Sequence, residues 1–319
     1  MDNKRIWAFL IHLGSNMWAK KGTTWKRNIH PEDFGYKERM YCDKEVWRKV
    51  TDFLPSCGIN TLVIDIGEGI RLDCHPEIAT EGAWTKDEVR EELARLRSIG
   101  LTPIPKFNSS CAHNAWMGEY AYMVGTKAYY DFCKDIIEET IELFDTPEFF
   151  HLGLEEERPG LGHLVNVCRS PEKKVEDALF LFDICKSHGV RPWIWLDVES
   201  FGGWEDFSAK VPKDTLISTW YYDAIHDKAD LCDPQIPKEA YLNIELAERG
   251  YEQVPATSTW SWHCNAKDTM NFCKKHVSEE SVVGFMSASW LLTTKSRLYG
   301  LYNDAYTLMW ARRDIYGDI

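Results

Sequence analysis

The chain has 319 residues, a length for one large α/β domain or two ordinary ones, and enough to bury a sizeable core without disulfide or metal staples. Asp and Glu number 50 against 37 Lys and Arg, a formal charge of −13, which argues against a phosphate-tracking nucleic-acid binder and against an anionic membrane surface as partner. An apolar content of 44% excludes a disordered chain, and 14 Trp demand an explanation beyond core filling.

The apolar run 6–13 that follows Met1-Asp2-Asn3-Lys4-Arg5 is too short to span a bilayer and lacks a small-residue cleavage site. It reads as a first strand. Seven more strand candidates follow: Thr61–Ile66, Thr102–Phe107, Phe149–Leu154, Pro192–Val198, Thr215–Trp220, Val254–Trp260 and Val282–Ala288. Helical periodicity fills the intervals. One helix runs from Lys86 to Ser98, with Val89, Leu93 and Leu96 on one face and a Thr85/Glu88 capping box at its start. Another begins with Ser170 as cap and Pro171 at the first helical position and runs to Lys186; the last covers Leu298 to Arg312. Four segments leave their helices through glycine, at Gly58, Gly100, Gly189 and Gly250, the residue that takes a left-handed cap most readily. Eight strand–helix units predict an α/β fold, one (β/α)8 TIM barrel over residues 1–319, in preference to a doubly wound sheet with fewer strands. The ten Cys form no CxxC pair and no zinc-finger spacing, so they read as reduced, structural thiols of a cytoplasmic protein.

In such a barrel the chemistry sits at the C-terminal ends of the strands. In order, those ends carry His12 and Asn16; Asp65 and Glu68; Lys106, Asn108 and His113; His151 and Glu155-Glu156-Glu157; Trp195, Asp197 and Glu199; Trp220, Tyr221, Tyr222 and Asp223; Trp260, Trp262 and His263; and Ser287, Ser289 and Trp290. Two features stand out. Crowded carboxylates raise one another's pKa, so the triple Glu at strand four suits a general acid; a solvated acidic loop with Arg158 as counter-ion is the plainer reading. Trp195, Trp220, Trp260 and Trp290 end strands five to eight. Each alone is as consistent with a core, but together they suit a wall against a sugar ring.

These residues resemble a known family. His151-Leu152-Gly153-Leu154-Glu155-Glu156 looks like the His-x-Gly-Gly-Asp-Glu motif of family 20 glycoside hydrolases, the β-N-acetylhexosaminidases. Gly82-Ala83-Trp84-Thr85-Lys86-Asp87-Glu88-Val89 is similar to that family's approach to the helix after strand two, and Pro105-Lys106-Phe107-Asn108 through His113 to its Pro-Glu-x-Asp-x-Pro-Gly-His stretch. The resemblance implies a retaining, substrate-assisted glycosidase, an exception to the two-carboxylate scheme. It implies Glu156 as general acid and then base, and Glu155 as the group that polarises the substrate's 2-acetamido function. Tyr221 or Tyr222 would bond the acetamido oxygen, Trp195, Trp220 and Trp290 would enclose its methyl, and His113 and His151 would orient the carboxylates. Asp65, Asp197 and Trp260 are further substrate-binding candidates. The departures are Glu155 for the family's Asp, Leu154 for its second Gly, and Lys106 and Asn108 for two acids; Arg5 is the candidate for its sugar-gripping Arg.

Other readings stay open. A two-carboxylate glycosidase would use Asp65, Asp197 or Glu199 as second carboxylate, since strand seven, Pro255 to Trp262, has none. Glu156, Asp197, Asp65 and His263 could converge on a divalent ion in a sugar isomerase or lyase, without an HExxH signature. A sugar-binding barrel without catalysis would keep the Trp wall alone. No G-x-S-x-G elbow and no phosphate loop around Gly67 and Gly69 is present. His30, His75, His163, His188, His226 and His276 read as loop or surface residues. The expected partner is a carbohydrate, with no nucleic acid, no membrane, no cofactor and no metal; a homodimer is open.

Overall fold

The computed structural model describes residues 5–19, 21, 35–157, 167–225 and 238–317. Arg158, His30, His163 and His226 lie outside the described residues.

Eight strands form one parallel sheet: β1 (Ile6–His12), β2 (Thr61–Asp65), β3 (Thr102–Lys106), β4 (Phe149–His151), β5 (Arg191–Trp195), β6 (Leu216–Ser218), β7 (Ala256–Thr257) and β8 (Gly284–Ala288). β1 pairs with both β2 and β8, and the bridges Ile217↔Gln253 and Trp220↔Ala256 join β6 to the β7 segment. The sheet thus curls into a (β/α)8 barrel. After each strand comes its helix: α1 (Lys44–Phe53), α2 (Lys86–Ser98), α3 (Lys127–Leu143), α4 (Pro171–Ser187), α5 (Trp204–Lys210), α6 (Lys238–Glu248), α7 (Asn265–His276) and α8 (Leu298–Tyr316). Among the described residues no helix is long and apolar enough to cross a membrane.

The local signals act as their chemistry requires. At α2 both halves of the capping box form, Thr85 accepting from the Glu88 N–H while the Glu88 carboxylate accepts from the Thr85 N–H. Ser170 caps α4 ahead of Pro171. The four exit glycines all hold positive φ, between +72° and +89°. The strands are shorter than expected, and β4, β6 and β7 most of all, with three, three and two residues. β4 stops at His151 because Gly153 and Leu154 turn left-handed, at φ +72° and +76°. β7 keeps two residues, because Pro255 has no N–H and beyond Thr257 the chain bonds to side chains of α7 and of its own loop: the Ser258 N–H donates to Asn265 Oδ1 and the Trp260 N–H to Ser258 Oγ.

Strand alternation divides the core in two. Along β1, Phe9 and Ile11 join the layer between barrel and helices, while Ala8 and Leu10 join the barrel interior. That interior holds two tryptophans of β5, Trp193 and Trp195, beside Ala8, Ala256 and Ala288. Large side chains on one strand meet small ones on others, which keeps the packing dense. Trp193 satisfies its indole by donating to Ser218 Oγ at 2.9 Å.

Candidate active site

The three glutamates after β4 have three different fates. Glu155 is 5% exposed and accepts from Asn108 Nδ2 at 2.7 Å. Glu156 stands at the mouth, its side chain 37% exposed, with its backbone at φ +61°. Glu157 turns away and is buried. Its carboxylate takes the Cys111 N–H at 2.8 Å and the Arg169 guanidinium, which also bonds Asp177 at 3.1 Å. Burial alone would raise the Glu157 carboxyl, but Arg169 holds it below the usual carboxylate range. The three carboxylates are therefore not crowded together: Glu157 is turned to Arg169, while Glu155 and Glu156 converge on His113 between them.

The loop after β3 supplies most of those donors. Asn108, Ser110, Cys111 and His113 follow within a few residues of Lys106. Ser109 bonds the Leu152 carbonyl at 2.6 Å and Ser110 Oγ bonds the Glu155 carbonyl, stitching this loop to the one after β4. Gly153 makes the close approach possible, since a Cβ there would lie 2.7 Å from Asn108 Cγ. His113 reaches the centre of the site. Its Nδ1 lies 3.2 Å from Glu155 Oε1 and its Nε2 3.2 Å from Glu156 Oε2. Burial works against a charged imidazole here, but the attraction of the two adjacent carboxylates prevails and lifts its pKa to about 9.

Opposite stands an aromatic wall with Trp290 at its hub. Its ring centroid lies 5.9 Å from those of Trp195 and His12, 6.3 Å from Trp18 and 6.5 Å from Tyr222. Trp195 is buried and forms the floor, while Trp220 is half-buried and anchored by its indole N–H to the Leu196 carbonyl at 3.0 Å. The Tyr222 hydroxyl is shielded from solvent; burial raises its pKa, and the nearby Glu155 and Glu156 raise it further. Trp18 also packs edge-on to His113 at 6.3 Å, so the two walls meet.

Beneath the mouth, Lys106 Nζ bonds Asp65 at 2.6 Å inside the barrel. His12 lies 3.6 Å from the same carboxylate oxygen, yet burial outweighs that attraction and lowers its pKa to about 4. His151 is fully buried against Trp193 and Trp195, and its Nδ1 accepts the Gly153 N–H at 3.2 Å. Glu68 is buried too and accepts the backbone N–H groups of Ser15 and Asn16 at 2.7 and 3.1 Å, fixing the loop that carries Trp18.

With this geometry in hand, the solved structures to which the chain is similar can be compared. The β-N-acetylhexosaminidase from Bacteroides fragilis is 13% identical over 96% of this chain and 65% of its own, with a TM-score of 0.62. The family 20 exo-β-N-acetylglucosaminidase from Vibrio harveyi in complex with N-acetylglucosamine is 14% identical over 97% of this chain and 54% of its own, with a TM-score of 0.64. Dispersin B is 12% identical over 98% of this chain and 99% of its own, with a TM-score of 0.59. The chain thus spans only 65% and 54% of the length of the first two. No protein-family model and no curated protein matches it. What the likeness shows is the barrel fold.

The sequence-read residues divide accordingly. Glu155, Glu156, His113, Tyr222, Trp195, Trp220 and Trp290 gather at one mouth. Of the two tyrosines, Tyr222 packs on the barrel interior and Tyr221 on the outer layer. Asp65 faces Lys106, and Asp197 is buried 3.8 Å from Lys174 Nζ, so each carboxylate meets an ammonium. Trp260 lies 38% exposed in the loop after β7. Arg5 stands at the opposite face, because it precedes β1; it pairs with Glu279 at 2.5 Å and covers Tyr316. Among the described residues no group of three or more His, Cys, Asp or Glu is arranged to hold a metal. Sequence reading missed Trp18 and the Arg169–Asp177 pair. A Trp six residues past the end of β1 was the available signal for the first; nothing local marks the second.

Proposed function

We propose that the protein is a glycoside hydrolase of the family 20 kind, cleaving a terminal β-linked N-acetylhexosaminide with retention. One observation carries this reading: His113 bridges Glu155 and Glu156 opposite Tyr222 and Trp290. The substrate's acetamido oxygen attacks the anomeric carbon while the bond to the leaving oxygen breaks. Glu155 draws on the acetamido N–H, and the Tyr222 hydroxyl donates to the acetamido oxygen. Trp195, Trp220 and Trp290 enclose the methyl. Glu156 gives the leaving oxygen its proton, then takes one from the water that opens the cyclic intermediate.

The proton's source follows from His113. Its raised pKa makes it an imidazolium at neutral pH, with Nε2 aimed at Glu156 Oε2. The pair holds one proton between them. When a sugar covers the half-exposed Glu156, the charged pair loses its water and the proton passes to the carboxylate. In support, Asp65 and Asp197 each face an ammonium, which disfavours either as nucleophile of a two-carboxylate scheme.

The test is a panel of aryl β-glycosides, N-acetylglucosaminide and N-acetylgalactosaminide beside glucoside and galactoside, with Glu156→Gln as control. Release from the N-acetyl pair alone is expected, falling by about 10²- to 10⁴-fold in the variant. Turnover of plain hexosides, or full activity of the variant, would refute the assignment.

A further inference from the structure

We propose that Glu157, locked by Arg169 and Asp177, is a positioning residue that sets the backbone of the general acid. This rests on the reading of Glu156 given above. Glu156 is a non-glycine residue at φ +61°, a conformation that crowds Cβ against the backbone and persists only where the surroundings over-determine it. Its two neighbours supply that constraint. Glu155 is pinned at its side chain by Asn108 and at its carbonyl by Ser110. Glu157 is pinned by the Cys111 N–H and the Arg169 guanidinium.

All the anchors except Arg169 come from the loop that also carries His113. Fixing Glu155 and Glu157 to that loop therefore fixes the distance between His113 Nε2 and Glu156 Oε2. The clamp is itself buried. The side chains of Arg169, Glu157 and Asp177 are each at most 3% exposed, Tyr130 donates to Asp177 at 2.5 Å, and Lys174 adds positive charge behind Glu157 and Asp197. A buried ion pair of this kind is rigid, and removing one partner leaves a charge stranded. The third glutamate is therefore a fixed support behind the mouth, in contrast to the solvated acidic loop that is the plainer reading of the sequence.

The experiment compares Glu157→Gln and Arg169→Lys with the parent enzyme and with Glu156→Gln. Each is assayed on phenyl and dinitrophenyl N-acetyl-β-glucosaminides, after circular dichroism and melting establish the fold. A dinitrophenolate leaves without a proton; a phenolate needs one. Both clamp variants are expected to lose roughly 10- to 100-fold in kcat/KM on the phenyl substrate and less than about threefold on the dinitrophenyl one. An equal loss on both substrates, or none, overturns the positioning role while leaving Glu156 as acid. Loss of that leaving-group dependence from Glu156→Gln itself would instead overturn the reading of Glu156. A crystal structure of Glu157→Gln decides the matter without activity. Departure of Glu156 from the left-handed region supports the proposal; retention of that backbone with the His113 contact intact refutes it. Where Glu157→Gln does not fold, Arg169→Lys, which keeps the charge and loses the fork, carries the same two measurements.

Discussion

The two walls of the mouth are built by opposite means. The wall from β3 and β4 is polar and is held by directed bonds and close charges: Asn108 bonds Glu155, Arg169 bonds Glu157, and His113 lies 3.2 Å from both Glu155 and Glu156. The wall from β5, β6, β8 and the loop after β1 is aromatic and is held by packing, with Trp195 buried among Ala8, Ala256 and Ala288 below Trp290. A group that must change protonation needs its partners at hydrogen-bond distance, and here that coincides with left-handed backbone at Gly153, Leu154 and Glu156. A ring that has only to present a face needs no strain, and none of the wall's aromatics has positive φ.

The sharpest break between the walls is a titration, and it carries the largest effect. His113 has a folded pKa of about 9 against an ordinary 6.5. A raised pKa contributes stability that is full below 6.5 and is lost as pH rises through 9. His113→Asn should therefore cost about 3 kcal/mol more at pH 6 than above pH 9.5, measured by denaturant unfolding at both pH values. On the proposed mechanism the same proton serves turnover, so kcat/KM of the parent should fall as pH rises through about 9, and this limb should move in His113→Asn. A pH-independent stability difference would mean that His113 is neutral in the folded protein. Aromatic-wall variants should leave the limb where it is.

The second prediction concerns the aromatic wall. Trp290→Ala removes the ring that touches His12, Trp18, Trp195 and Tyr222, and should raise KM by about 30-fold, roughly 2 kcal/mol of lost apolar contact. Trp260→Ala, at an exposed ring outside these contacts, should change KM by less than about threefold. Equal effects would place Trp260 against the sugar as well.

The two walls also differed in how far the sequence disclosed them. All eight strands lie where alternation and the glycine exits predict, because period and cap chemistry are local properties. The β4 carboxylates were visible as a motif, but their fates were not. Which glutamate turns toward Arg169 depends on donors from the β3 loop and from the segment just before α4, and no local pattern encodes that. The tryptophans were visible as a residue type at strand ends. Their facing depends on register: one residue separates Tyr221, on the outer layer, from Tyr222, on the inner. Arg5 was misplaced for a simpler reason, since a residue before a strand of a parallel barrel lies at the face away from the site.

The smallest prediction probes the strain that sets the polar wall apart. Leu154 stands where the resemblance expects glycine, is fully buried, and has φ +76°. Its side chain adds apolar contact to the outer core, and its backbone opposes that gain by about 1 kcal/mol or more. At an ordinary φ, glycine is worse than alanine, because it leaves the unfolded chain more freedom. Here the order should invert. Both Leu154→Ala and Leu154→Gly lose the buried leucine, but only glycine escapes the clash of Cβ in the left-handed region. Leu154→Gly should therefore be the more stable of the two by about 1 kcal/mol. At Leu152, buried two residues earlier without positive φ, the same pair should show the ordinary order. Denaturant midpoints of the four variants check this. If alanine wins at both positions, the loop relaxes when the leucine is lost, and the leucine itself holds the left-handed turn. If glycine wins only at residue 154, the turn is imposed from outside by the bonds to the β3 loop, the same bonds that hold Glu155 beside His113.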